Sequence, residues 1–168
     1  MDFREKIIAW LVDEDHEVKS EAPPAGAPVE WLVKVTVKAP LRVNVLVQQP
    51  SSKKDRVVVS LGVALSDVHR RELMKLDEKE RLRIVSDIYR DVLRMCPDCI
   101  AIVQPSLVEP QGIAVSRVIY HESLTRESIA TTIRLFVNIF ASIVAALNAR
   151  LGIVGERRPG RDSNIGFI

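Results

Sequence analysis

The chain has 168 residues, 47% of them hydrophobic and 27% charged, and its 24 basic and 22 acidic residues leave a net charge of only +2. This composition excludes a wholly disordered or collagen-like chain. It also argues against a dedicated nucleic-acid binder, which needs a strongly basic surface. We therefore predict one globular domain over residues 1–151, followed by a flexible C-terminal tail over residues 152–168.

The N-terminal segment alternates between helix-forming and helix-breaking stretches. Residues 3–13 carry their apolar side chains on one helical face and predict a helix. The acidic residues 13–15 oppose the helix dipole, which favours an end there. The proline-rich residues 22–28 then predict a loop.

Three segments with period-two hydrophobicity follow, at residues 31–38, 41–48 and 57–65. Their alternation and short connections predict antiparallel strands joined as hairpins, with one face covered and one in water. We expect the following side chains on the exposed face: Lys34, Thr36, Lys38, Arg42 and Asn44. Nucleic-acid-binding sheets place aromatic side chains among such basic residues, whereas Trp31 shares its face with the buried valines. We therefore interpret the lysines as solvated residues on an edge strand and expect no nucleic-acid partner.

The second half of the chain predicts two helices, two strands and a last helix. The helices cover residues 67–75 and 78–95, the strands cover residues 99–104 and 113–120, and the last helix runs from a Thr125 cap to Leu151. The apolar face of the middle helix is predicted at Leu82, Val85, Ile88, Tyr89, Val92 and Leu93. The order α-β-β-β-α-β-β-α predicts an α+β fold, in which helices cover one face of a single five-stranded antiparallel sheet.

The motif Cys96-Pro97-Asp98-Cys99 is the one chemical signature in the sequence. It lies at a predicted helix C-terminus, whereas a redox dithiol usually has its attacking cysteine at a helix N-terminus, where the dipole lowers the thiol pKa. A zinc site would need two more ligands, and the sequence has no second such motif. We favour two small packing residues at a helix stop. A disulfide, a thiol redox pair and a metal site remain alternatives.

The last helix is apolar on more than one face. A helix that is hydrophobic all round should be buried all round, which one sheet cannot achieve. This surplus predicts a two-fold homodimer. The second apolar face, where we expect the dimer or partner interface, includes Leu135, Ile139, Ala141, Ala145 and Ala149. Coverage by the N-terminal helix or by the tail is the alternative.

Motifs of enzymes and of exported proteins are missing from the sequence. We find no glycine-rich phosphate loop, nucleophile elbow or paired-histidine metal motif, so we predict a protein without catalytic residues or cofactor. The longest uncharged apolar stretch, residues 135–149, would span only about 22 Å as a helix, so we expect no membrane span. Two cysteines and no visible export signal predict a cytoplasmic location.

The sequence resembles a small archaeal family of uncharacterised proteins whose fold is similar to that of type III secretion chaperones and YbjN-type proteins. The resemblance covers residues 1–151. It is carried by the helix ending near Trp10-Leu11, the strands over residues 31–65 with the following segment 64–69, the helix start at residues 78–81, and Val118-Ile119-Tyr120 before Leu124-Thr125. It implies a secretion-chaperone-like fold and homodimerisation, and no active site.

These observations lead to three functional hypotheses. The first is a homodimeric, non-enzymatic chaperone-like or adaptor-like module that binds an extended segment of an unidentified protein or peptide. The second is a regulatory dimer similar to roadblock or longin modules. The third is a thiol redox or metal protein that uses Cys96 and Cys99.

Overall fold

The fold is α+β, with one six-stranded sheet and four α-helices; the computed structural model describes residues 2–153. The helices are α1 (Phe3–Asp13), α2 (Asp67–Met74), α3 (Glu78–Met95) and α4 (Arg126–Leu151). The strands are β1 (Glu17–Glu21), β2 (Val29–Val37), β3 (Val43–Pro50), β4 (Arg56–Ala64), β5 (Ile100–Pro105) and β6 (Pro110–Tyr120). The strands lie in the order β1-β2-β3-β4-β6-β5, and a 3-10 turn (His121–Ser123) precedes α4.

The prediction of five strands was wrong, because it missed β1. The sequence of β1 carries one large apolar residue, Val18, so it has no period-two signal to read. The strand forms by antiparallel pairing with β2, in which Val18 lies opposite Val35. A tertiary contact therefore creates this strand where local propensity does not.

The described chain divides into two compact units. The first lies within Met1–Leu61 and Ser116–Val137, and the second within Gly62–Val115 and Asn138–Ile168. The first unit contains α1 and β1 to β3, and the second contains α2, α3 and β5.

The alternating valines of β2, β3 and β4 form much of the core, as predicted. The buried side chains alternate along β3 and β4, whereas in β2 Leu32 and Thr36 on the opposite face are buried too. The buried residues of the predicted face are Val33, Val35 and Val37 in β2, Val43, Val45 and Val47 in β3, and Val57, Val59, Leu61 and Val63 in β4. The antiparallel register sets Val33 opposite Val47 and Val35 opposite Val45, so like faces meet across the ladder.

Helix α3 has the predicted bounds, but its buried face is rotated from the predicted one. The buried side chains are Arg81, Ile84, Val85, Ile88 and Val92. Leu82, predicted to be buried, is exposed, and Tyr89 and Leu93 are only half-buried. Arg81 is therefore buried where the sequence pattern predicted that Leu82 would be buried.

Helix α4 begins and ends as predicted. The Thr125 hydroxyl accepts a hydrogen bond from the Ser128 amide (3.0 Å) at the start of the helix. At the end, Gly152 has a φ of 64°, and the Ile153 amide donates back to the Asn148 carbonyl (2.9 Å). Glycine takes this left-handed conformation without strain, which is why the helix ends here. Most of the predicted tail, residues 154–168, lies outside the described residues.

Candidate binding surfaces

The polar side chains predicted on the exposed sheet face do not form one surface. Thr36 is buried, and its hydroxyl donates to the Asn44 side-chain oxygen (2.7 Å), so its prediction as exposed was wrong. Lys34 and Asn44 are half-buried. Lys38 and Arg42 are exposed, but they lie in the connection between β2 and β3 rather than in a strand.

The strand β2 is also not an edge strand. β1 pairs with it and places Lys19 opposite Lys34 and Glu17 opposite Thr36. Within residues 2–153, the two edges of the sheet are therefore β1 and β5, the first and last strands in the sheet order. The role predicted for the lysines of β2, protection of an edge, falls instead to the charged residues of β1.

The edge strand β5 presents an apolar surface. Its sequence contains no charged residue, and Ile100 and Ile102 are 59% and 52% exposed. Both isoleucines lie on one face of the strand, whereas the intervening Ala101 is buried. The hydroxyl of the α3 residue Tyr89 donates to the Ala101 carbonyl (3.1 Å) and ties β5 to its helix. Large apolar side chains exposed on a sheet edge mark a site for pairing with another chain.

Cys96 and Cys99 form a disulfide immediately before β5, with Cα atoms 5.3 Å apart. Both residues are buried, and the Cys96 sulfur lies 3.3 Å from a carboxylate oxygen of Asp98. The structure therefore favours the disulfide among the alternatives left open by the sequence. Two sulfurs bonded to each other are not thiolates, and metal binding by this motif would require their reduction.

Helix α4 exposes much less apolar surface than its sequence predicted. Among the described residues, the large apolar side chains of this helix are all buried or half-buried. Ile139 has no exposed surface, so it belongs to the core and not to an interface. Leu135 and Ala141 are half-buried, and Ala145 and Ala149 are exposed. The exposed members of the predicted face, which we call the exposed stripe of α4, are therefore the small side chains Ala145 and Ala149 beside the half-buried Ala141, and an interface there stays a prediction.

Helix α4 has the length and composition of a membrane-spanning helix. It is longer than the apolar stretch that the sequence pattern delimited, since it runs for 26 residues. Of its most apolar 18-residue stretch, 44% is buried within the protein. Phe136, Ile143 and Leu147 are among the most buried residues of the chain, which is typical of a core helix.

Polar contacts fasten the end of α4 to α2 and α3. The His69 ring lies between the Ser66 hydroxyl (2.9 Å, at Nδ1) and the Asn148 side-chain oxygen (2.8 Å, at Nε2). Sequence reasoning missed this group, because Asn148 is distant along the chain. The Ser66 hydroxyl also accepts from the His69 amide (3.3 Å), so it caps α2. The Ser66 hydroxyl therefore has a structural role at the start of α2.

A second contact joins α4 to α3. Arg150 binds Asp87 at 2.8 Å, and this hydrogen bond, with a smaller contribution from Arg90, lowers the pKa of the Asp87 carboxyl. A lowered pKa keeps this carboxylate ionised in the folded protein.

A family profile described as "Uncharacterized conserved protein (DUF2299)" matches residues 3–147. The chain belongs to the DUF2299 family. The resemblance to an uncharacterised family, expected from the sequence, is thereby confirmed. No curated protein matches this DUF2299 chain.

Two solved structures are similar to the DUF2299 chain. An uncharacterized protein from Methanothermobacter thermautotrophicus has a TM-score of 0.77 and 16% identity, over 89% of this chain and 99% of its own. The protein YbjN from E. coli, named as a candidate transcription regulator, has a TM-score of 0.49 and 11% identity, over 86% of this chain and 90% of its own. The similarity to the first protein shows a shared fold.

Proposed function

We propose that this protein is a non-enzymatic protein-binding module, chaperone-like or adaptor-like, that takes up an extended segment of another protein along β5. The observation that carries the proposal is the uncharged edge of β5 with Ile100 and Ile102 both more than half exposed. A segment that adds to this edge would gain main-chain hydrogen bonds from the strand and apolar contacts from the isoleucines.

The contrast between the two sheet edges supports this proposal. β1 carries Glu17, Lys19 and Glu21 within five residues, a pattern that discourages pairing with other chains. β5 has no charged side chain: the Tyr89 hydroxyl binds the Ala101 carbonyl, and Pro105, at the end of the strand, cannot donate a backbone hydrogen bond. Because β1 carries charged side chains and β5 carries none, this difference between the two edge strands favours a binding role for β5.

The exposed side chains define the chemistry of the partner segment. Ile100 and Ile102 lie two residues apart and so project from the same face, which favours a segment with apolar residues at every second position. A charged side chain opposite the isoleucines would lose hydration without gaining a partner. We therefore expect an extended, alternating and uncharged segment.

A peptide-binding experiment tests this proposal. The probe is a fluorescein-labelled eight-residue peptide of alternating valine and threonine, and the readout is fluorescence anisotropy. We expect Ile102→Lys to weaken binding at least tenfold, and the matched control Ser20→Lys, at an exposed position of β1, to change it less than twofold. A second peptide, methylated on alternate backbone nitrogens, keeps the side chains but cannot complete the ladder. Equal binding of both peptides, or an equal effect of both variants, would contradict strand addition.

We also propose that the module works as a homodimer through the exposed stripe of α4. Ala145 and Ala149 are exposed and Ala141 is half-buried, so a second helix could approach the backbone of α4 closely. Light scattering after size exclusion should give twice the chain mass at micromolar concentration. Ala145→Glu should shift this mass toward that of one chain, while Lys79→Glu, exposed on α3, should not. A single-chain mass for the unmodified protein would remove the dimer from the proposal.

A thiol redox protein is a second candidate, favoured by the disulfide between Cys96 and Cys99. Disulfides are rare in a reducing cytoplasm outside hyperthermophiles, so this bond also bears on the predicted location. Titration against a glutathione redox buffer measures the fraction of the disulfide that is reduced. If the double variant Cys96→Ser with Cys99→Ser binds the peptide probe as the unmodified protein does, the disulfide is not part of the binding function.

A further inference from the structure

The buried face of α3 contains a charged side chain. Arg81 is only 8% exposed and lies in line with Ile84, Val85 and Ile88 on the face that the helix buries. A guanidinium stays protonated at all ordinary pH values. Most of this charged side chain has therefore been removed from water, and a buried part of a charged group needs a counter-charge or hydrogen bonds.

The protein supplies little of either to Arg81. One terminal nitrogen, Nη1, lies 3.4 Å from the Leu76 carbonyl oxygen and 3.5 Å from the Met74 sulfur. A thioether is a weak acceptor, and the carbonyl contact is long. The Nε atom is buried without any hydrogen-bond partner. Over residues 2–153, no aspartate or glutamate forms an ion pair with Arg81.

Two acidic side chains near the start of α3 are already engaged. Glu72 pairs with Lys75 at 2.7 Å, and the Asp77 carboxylate accepts from the Glu80 amide at 2.8 Å as the helix cap. Arg81 thus keeps donors in the fork arrangement that matches a carboxylate in bidentate fashion.

One of the two contacts of the Arg81 guanidinium can move. Met74, whose sulfur touches the guanidinium, is the last residue of α2 and is 53% exposed. A methionine side chain has three rotatable bonds, so it can swing away without a change in the backbone. Leu82, which follows Arg81 in the sequence, is an exposed apolar side chain as well.

We propose that Arg81 is the anchor of a second binding site, which takes a carboxylate carried next to an apolar group on a partner polypeptide. The carboxylate pairs with Nε and with Nη2, the terminal nitrogen on the same side of the guanidinium, while the apolar group packs against Met74, whose sulfur contacts Nη1. This site lies between the end of α2 and the start of α3 and does not depend on strand addition at β5.

A matched pair of small probes tests the site on the full chain. N-acetylleucine carries the carboxylate and an apolar side chain, and N-acetylleucinamide has the same side chain without the charge. The readout is the Nε–H signal of Arg81 in a nitrogen–proton correlation spectrum, assigned by its loss in Arg81→Met. We expect a saturable shift with N-acetylleucine and none with the amide. Arg81→Lys keeps the charge but not the fork, and binding measured by calorimetry should weaken at least tenfold in this variant.

Thermal stability separates a binding role from a structural one. Methionine keeps most of the stem of Arg81 and removes its buried charge, so the melting temperature of Arg81→Met should stay unchanged or rise. A lowered melting temperature together with an unresponsive Nε–H signal would show that Arg81 holds the turn between α2 and α3, and would overturn the proposal. So would an equal response to both probes. A signal that responds to Glu78→Gln and not to N-acetylleucine would show an internal ion pair and would also overturn it.

Discussion

Replacing Gln49 by leucine should lower the free energy of unfolding by about 2 kcal/mol, through the loss of one buried hydrogen bond. The indole nitrogen of the buried Trp31 donates to the Gln49 side-chain oxygen at 2.6 Å. The Gln49 amide donates in turn to the Lys54 carbonyl at 2.8 Å. Leucine is similar in size but leaves the indole N–H without a partner, and a buried unsatisfied donor costs about 1–3 kcal/mol. The Lys54 carbonyl belongs to an exposed residue, so water can replace its lost partner.

A double-mutant cycle measures this bond directly. Trp31→Phe removes the donor, so Gln49→Leu should cost about 1–2 kcal/mol less in that background than in the unmodified protein. Urea unfolding followed by far-ultraviolet circular dichroism gives the four free energies, since this signal comes mainly from the backbone and stays measurable after Trp31→Phe. The reasoning is wrong if Gln49→Leu costs the same in both backgrounds, or if it costs less than about 0.5 kcal/mol in the unmodified protein.

Three further predictions concern pH, the disulfide and the core. Burial lowers the pKa of His16 below its ordinary value of 6.5, so its contribution to stability is present above that value and is lost as the pH falls through the lowered folded pKa. His16→Gln should therefore flatten the acid side of the melting-temperature profile, and an unchanged profile would contradict this. The Cys96–Cys99 disulfide closes only a short loop in the unfolded chain, so its reduction should lower the free energy of unfolding in urea by about 2 kcal/mol. The same reductant should not change the stability of the double serine variant. Phe136→Ala should cost about 3–5 kcal/mol because this ring is fully buried, and a smaller effect than that of Phe140→Ala, at a half-buried position, would refute the packing argument.

The parts of the fold that the sequence predicted are those with a local signal. Alternating valines identified β2, β3 and β4, and a capping residue with a helical period identified α3 within its observed bounds. Glu17–Glu21 had no such signal, because a polar strand at a sheet edge is recognised by its pairing partner and not by its own residues. The strand count therefore had to come from the structure.

The candidate binding sites could be predicted from the sequence only in part, for similar reasons. The pattern placed Leu82 in the buried face of α3, but a rotation of one position buries Arg81 instead, and periodicity does not resolve such a shift. Ile100 and Ile102 are apolar and were counted within a strand, yet only the strand order shows that this strand is an edge. Ile139 was assigned to an interface because composition alone cannot separate two apolar faces of one helix.

The unequal borders of the sheet set a limit on how far this protein could polymerise. Fibres grow when every newly added molecule offers another sticky strand to the next one. If β5 binds a neighbour as we propose, β1 still meets the next molecule with Glu17, Lys19 and Glu21. Once β5 is occupied, a growing fibre would have no second apolar edge strand to which another molecule could add. Under the proposed function, the charges of β1 would allow the protein to bind through one edge strand without templating the addition of further copies.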